Sequence, residues 1–149
     1  MGEQLYWWPL IKHLVEFLNH RKNKLDKLEF DGVDVYAGTK NSGKSYPCVE
    51  VTWDHEGNID IYRSDKGNIS LWIDIYLEND SEDPAAPYEI LFQWQVKVLN
   101  ALASWHEALK RDFRIAVKID VPDILSDGDM QRPTCACRII TNIEWRNSI

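Results

Sequence analysis

The sequence predicts an α+β fold with a single, antiparallel-rich mixed sheet and two main helices. Two stretches repeat apolar residues at helical spacing, and the segments around them alternate apolar and polar residues as strands do. The strands come in runs instead of alternating singly with helices, which favours α+β over a parallel α/β sheet. The expected element order is α-(β)-βββ-α-ββ, and a length of 149 residues fits one domain over residues 1–149.

The first predicted helix spans residues 4–22, because its apolar residues recur at the spacing of one helix face. That stripe consists of Trp7, Ile11, Leu14, Val15 and Leu18. A short strand is expected at residues 33–36. Residues 47–78 change to a two-residue period, which predicts a three-stranded antiparallel meander with turns at 56–58 and 64–68. Its strands are expected at residues 49–53, 59–62 and 69–77.

The reverse face of this meander is aromatic as well as polar. Tyr62, Trp72 and Tyr76 lie on it, and an exposed aromatic stripe of this kind is typical of a contact surface. Together with Trp8, at the start of the first helix, these residues are the candidate interface. Four of the seven tryptophans lie on apolar faces and are predicted to be core residues: Trp53, Trp94, Trp105 and Trp145.

The second helix is predicted to begin at Asp83-Pro84, an acidic cap with proline in the first position, and to end near Asp112. Its apolar stripe contains Leu91, Trp94, Val98, Leu102, Trp105 and Leu109. A second set widens that stripe, so we expect the helix to be largely buried. This set is Phe92, Val96, Leu99 and Ala103. Strands at 115–121 and 135–145, joined by a polar connector, close the fold.

The formal net charge of −7 argues against a general nucleic-acid-binding protein, which presents a basic face. The acidity is concentrated in two blocks, within residues 74–89 and 120–129. Three cysteines, Cys48, Cys135 and Cys137, fit buried reduced thiols in a cytoplasmic protein. We find no signal peptide and no apolar stretch of membrane-spanning length, so no membrane partner is expected.

One string matches a chemical motif. Gly38–Ser45 satisfies the phosphate-loop pattern G-x-x-x-x-G-K-[ST], in which Lys44 and Ser45 would contact phosphate and Mg²⁺. The pattern requires a helix to open at the lysine, whereas Pro47 and a predicted strand follow here. No two of the four histidines have metal-ligand spacing, and we recognise no nucleophile motif. The sequence therefore predicts no cofactor, no metal and no enzymatic activity.

The order of elements resembles the tail terminator and head–tail joining proteins of long-tailed phages. The segments that carry the resemblance are Leu10–Phe17, Pro47–Val51, Ile69–Leu77, Leu91–Leu109 and Ile139–Trp145. The resemblance implies a non-enzymatic phage or prophage subunit that assembles with itself into a ring, commonly a hexamer, and meets tail-tube and connector proteins. Such a subunit would be found in the host cytoplasm during assembly and later in the virion, with DNA only as passing cargo.

In such a ring, several charged residues are candidates for docking surfaces or for the lumen. They are Lys40, Lys44, Asp80, Glu82, Asp83, Asp123, Asp127 and Asp129. Two other classes of function stay open. Acidic chains with this element order also resemble small chaperone-like or immunity-type binding proteins. A nucleotide-binding protein that uses Gly38–Ser45 is the third alternative.

Overall fold

A computed structural model describes residues 7–21, 34–39, 47–57, 66–126 and 134–147 of the chain. Within these residues, two helices pack on one face of a five-stranded sheet. The elements are α1 (Trp7–Arg21), β1 (Asp34–Ala37), β2 (Cys48–Gly57), β3 (Lys66–Glu78), α2 (Ala86–Phe113), β4 (Ile115–Ser126) and β5 (Thr134–Asn147). The sheet order is β1-β2-β3-β5-β4. The α+β class with one sheet and two helices is confirmed.

The sheet is mixed because β1 runs parallel to β2, whereas all its other pairings are antiparallel. The predicted meander is corrected in one respect. β2 continues through Glu56 and Gly57, where a turn was expected, and it pairs directly with β3. In the sheet, β2 and β3 are hydrogen-bonded neighbours, and the strand expected at 59–62 lies outside the described residues. The alternating period alone does not reveal which strands are neighbours.

The core lies between the helices and the sheet face formed by alternate residues of β3. These inward residues of β3 are Ile69, Leu71, Ile73, Ile75 and Leu77, each at most 1% exposed. α1 contributes Leu10, Leu14 and Leu18 over β1 and β2, and α2 covers β4 and β5. The helices therefore lie over opposite halves of the sheet.

The boundaries of α2 differ from the prediction at its start. Pro84 belongs to a turn, and the proline of the first helical turn is Pro87. Asp83 still closes that turn, because its Oδ1 accepts a hydrogen bond from the Ala85 backbone N–H (3.0 Å). The helix ends at Phe113, its C-cap Arg114 has a left-handed backbone (φ 54°, ψ 50°), and β4 follows at once. In the described parts of the chain, neither helix is both long and apolar enough to cross a bilayer.

Three tryptophans are buried as predicted: Trp94 (8% exposed), Trp105 (0%) and Trp145 (6%). Trp53 is not a core residue, since 43% of its surface is exposed. It is on the core side of β2, but it sits beside the irregularity between Trp53 and His55, at the margin of the area that α1 covers. Trp145 packs over Gly67 so closely that a Cβ at residue 67 would overlap the indole ring.

Candidate interaction surfaces

An apolar stripe on α2 is exposed to solvent. It consists of Tyr88 (61% exposed), Phe92 (65%), Val96 (39%), Leu99 (36%) and the exposed Ala103, and we call it the α2 stripe. At about 100° per residue, it is centred roughly 140° around the helix axis from the buried residues. The α2 stripe is therefore a second apolar face and not the edge of the first.

This finding corrects the prediction that Phe92, Val96, Leu99 and Ala103 widen the buried surface. A helix that packs on one sheet buries one side only, and here that side is taken by Leu91, Trp94, Val98 and their neighbours. The signal was present in the sequence. The apolar residues of this helix occupy about two thirds of its circumference, which is more than one sheet covers.

The size of the α2 stripe indicates a contact surface. Its exposed fractions correspond to about 400 Å² of apolar area, if fully exposed aromatic and aliphatic side chains present roughly 200 and 150 Å². A patch of this extent is at the scale of the largest apolar patches on soluble monomers, which are often functional.

A second exposed apolar surface lies at the start of α1, and we call it the tryptophan cluster. Trp7 stacks on Trp53 with ring centroids 4.9 Å apart, and Trp8 meets Trp7 edge-on at 6.0 Å. Trp8 is 46% exposed, in agreement with its prediction as a surface tryptophan. The cluster belongs to α1 and β2, on the half of the sheet opposite to α2.

The reverse face of the sheet, which the helices do not cover, is more polar than the predicted aromatic stripe. The Arg138 guanidinium lies 3.8 Å from the centre of the Trp72 ring. It also binds Asp74 with two hydrogen bonds, Nε to Oδ1 at 2.8 Å and Nη2 to Oδ2 at 3.1 Å. Trp72 is therefore partly covered from within the chain. Tyr62, the third member of the predicted stripe, lies outside the described residues.

Tyr76 belongs to the same polar network. Its hydroxyl donates to Glu50, which is fully buried. Burial, the charges of Asp74 and Glu50, and this hydrogen bond together raise the pKa of Tyr76 to about 12. Arg138 is held charged by Asp74, which raises the pKa of the guanidinium. The described charged and aromatic groups of this face thus largely satisfy one another.

A hydrogen-bonded chain joins the two helices. Trp105 Nε1–H donates to His13 Nδ1 (2.9 Å), and His13 Nε2–H donates to Asp112 Oδ2 (2.8 Å). Arg111 binds the other Asp112 oxygen at 2.9 Å, and these bonds lower the pKa of Asp112. Both ring nitrogens of His13 are engaged in these hydrogen bonds, so the arrangement fixes the orientation of the imidazole between the two helices.

The predicted charged candidates are only partly described. Asp80, Glu82 and Asp83 are exposed just before α2, and Asp123 is exposed on β4. The remaining candidates, Lys40, Lys44, Asp127 and Asp129, lie outside the described residues. The four described carboxylates lie on two different elements.

The phosphate-loop string has the required strand before it but lacks the required helix after it. It does follow a strand, since Gly38 comes directly after β1, with a φ of 94° and its N–H bound to the Val51 carbonyl (2.8 Å). However, β2 begins at Cys48, just beyond Ser45. A phosphate loop leads into a helix whose N-terminus faces the phosphates, and a strand at this position leaves no room for one.

The three cysteines are buried free thiols, as predicted. Burial raises the pKa of Cys137 to about 11, although Gln95 of α2 hydrogen-bonds to it. A raised pKa disfavours the reactive thiolate. Across the described residues, the His, Cys, Asp and Glu side chains form no group of three arranged to hold a metal ion.

A groove of about 570 Å³ lies at the end of the sheet, with Lys66, Lys118 and Arg146 at its walls and Trp145 among its lining residues. Glu144 also lines it, and Lys118 contacts Asp120 at 3.5 Å. Its charges are of both signs, and it is wide open. The described residues that line this groove do not converge on one point as a ligand site would require.

Comparison of the sequence with protein-family models and with curated proteins finds no match to either. The candidate surfaces therefore rest on the physical properties of the residues themselves.

Proposed function

We propose that this chain is a non-enzymatic assembly subunit that works by protein–protein contact, most specifically a phage or prophage tail terminator or head–tail joining protein. The observation that carries the proposal is the α2 stripe, an apolar surface that folding leaves exposed. The element order, on which the resemblance to the phage proteins is based, supports the finer assignment. In this role the protein meets tail-tube and connector proteins and passes from host cytoplasm to virion.

The positions of the two apolar surfaces support a ring. A closed ring uses heterologous contacts, in which one patch of a subunit meets a different patch of its neighbour. The α2 stripe and the tryptophan cluster are such a pair of unlike patches. They belong to elements over opposite halves of the sheet, α2 with β4 and β5, and α1 with β1 and β2. We propose that they meet between neighbouring subunits.

The experiment is to measure the mass of the assembled protein by native mass spectrometry and light scattering, with single variants of each patch. We expect the wild type to form a ring, with six subunits as the anticipated number. Phe92→Asp and Trp8→Asp should each abolish it. An equimolar mixture of the two variants should form no ring. The intact stripe of Trp8→Asp can bind the intact tryptophan cluster of Phe92→Asp, but the resulting pair exposes only altered patches and cannot grow further.

A matched control is Glu107→Gln, which changes an exposed residue of α2 outside the stripe and should leave the ring intact. A wild-type protein that never exceeds two subunits at high concentration would refute the ring. Ring formation unaffected by Phe92→Asp and Trp8→Asp would refute the assignment of its contacts. The chaperone-like alternative predicts a constant monomer or dimer.

A further inference from the structure

We infer that the α2 stripe also pairs with the α2 stripe of a second copy of this chain, the two helices running antiparallel about a two-fold axis. This pair goes beyond the proposed ring and does not depend on it. An isologous contact closes after two subunits, whereas the ring uses heterologous contacts. The pair is therefore a separate state of the protein, in which the exposed apolar surface of a free subunit is covered.

The spacing of residues along the α2 stripe favours an antiparallel pair. Tyr88 and Ala103 lie equally far along the helix from a point between Gln95 and Val96. Phe92 and Leu99 are likewise equally far from that point. In an antiparallel pair, Tyr88 faces Ala103 of the second copy and Phe92 faces Leu99. Each large side chain thus meets a smaller one, which lets the two surfaces interdigitate.

A parallel pair lacks this complementarity. It would bring Tyr88 against Tyr88 and Phe92 against Phe92 at one end of the helix, and two alanines against each other at the other end. The large residues would hold the helices apart and leave a gap at Ala103, and such gaps cost packing energy. The distribution of side-chain size along the α2 stripe therefore favours the antiparallel arrangement.

The charges at the two ends of α2 also favour the antiparallel arrangement. Asp80, Glu82 and Asp83 are exposed just before the N-terminus of α2, whereas Lys110 and Arg111 are in its last turn. Their side chains are 47% and 75% exposed. Lys110 lies two turns beyond Ala103 on the same side of the helix. Antiparallel pairing brings the basic end of each helix to the acidic segment of the other, and parallel pairing places acid beside acid.

The area sets the expected strength. Two stripes together remove about 800 Å² of apolar surface from water, below the roughly 1,200 Å² at the lower end of stable specific interfaces. The pair is therefore weak, and it dissociates on dilution. A weak pair can dissociate, which frees the same stripe for contact with a neighbouring subunit in the proposed ring.

The test is cross-linking through introduced cysteines in the full chain. Val96→Cys lies beside the two-fold axis, so an antiparallel pair brings two copies of it within disulfide reach. Tyr88→Cys is the matched control. Its two copies are about 22 Å apart along the pair, at 1.5 Å per residue, and cannot link. A mixture of Tyr88→Cys and Ala103→Cys should form the heterodimer. The native cysteines are all buried and contribute little background.

We expect Val96→Cys to form linked dimers at least about tenfold faster than Tyr88→Cys, and Phe92→Asp added to Val96→Cys to abolish the difference. Equal linking rates of Val96→Cys and Tyr88→Cys, or faster linking of Tyr88→Cys, would overturn the antiparallel pair. The outcome is independent of the ring. Val96→Cys dimers without a ring would refute the proposed function alone, and a ring without these dimers would refute this inference alone.

Discussion

Replacing His13 with leucine tests whether the hydrogen-bonded chain between the helices stabilises the fold. Trp105 is fully buried, and its indole N–H donates to His13 Nδ1 at 2.9 Å. Leucine removes the acceptor and leaves the N–H unpaired in the core, which costs about 1–3 kcal/mol. The lost contact with Asp112, whose side chain is 42% exposed, adds less than about 1 kcal/mol. We expect a total loss of about 2 kcal/mol, or roughly 4–8 °C in Tm for a chain of this length.

The assay is urea and thermal unfolding followed by circular dichroism, in a double-mutant cycle with Trp105→Phe. Phenylalanine has no N–H, so in that background His13→Leu leaves no buried donor unpaired. Its cost should then fall by at least about 1 kcal/mol. Asp112→Asn is the control, because its amide oxygen can still accept from His13, and its effect should be small. An equal cost of His13→Leu in both backgrounds would refute the role of this hydrogen bond.

Two further perturbations test other parts of the structure. Gly67→Ala should destabilise the protein by about 1–3 kcal/mol in thermal unfolding, because the added Cβ displaces Trp145; Gly57→Ala, whose Cβ meets nothing within 4 Å, is the control and should cost far less. Tyr76 keeps its proton up to about pH 12 in the folded state, whereas the unfolded chain releases it near 10.0, so wild-type stability should fall as the pH rises between these values. Tyr76→Phe should remove that part of the fall, at most about 1–2 kcal/mol after solvent screening, and an unchanged slope in the variant would contradict it.

The fold was largely predictable because it depends on local periodicity. Leu14 and Leu18 on α1, and alternate residues of β3, show their buried faces in the sequence itself. Which strands pair with one another was harder to predict from the sequence. That β1 lies parallel to β2, or that β2 pairs directly with β3, depends on how the chain returns to the sheet, and periodicity carries no such information.

The candidate surfaces were harder to predict, because exposure depends on what the rest of the fold covers. Trp53 occupies a position that the alternating pattern of β2 assigns to the core, yet it lies at the margin of the area that α1 covers and is partly exposed. Trp72 was predicted as an exposed aromatic, but Arg138, far along the chain, lies over its ring. The contact between Trp105 and His13 joins residues 92 positions apart. Such long-range contacts leave no mark in the spacing of either segment.

The contrast between the two faces of the sheet predicts which of them a protein partner would contact. On the reverse face, Asp74 and Glu50 are buried and already hydrogen-bonded to Arg138 and Tyr76, so these charges offer a partner little further hydrogen bonding. The only polar side-chain group of the α2 stripe is the Tyr88 hydroxyl, so covering the rest of the stripe costs no hydrogen bonds. We therefore expect a protein partner to bind mainly through apolar contact with the helical layer.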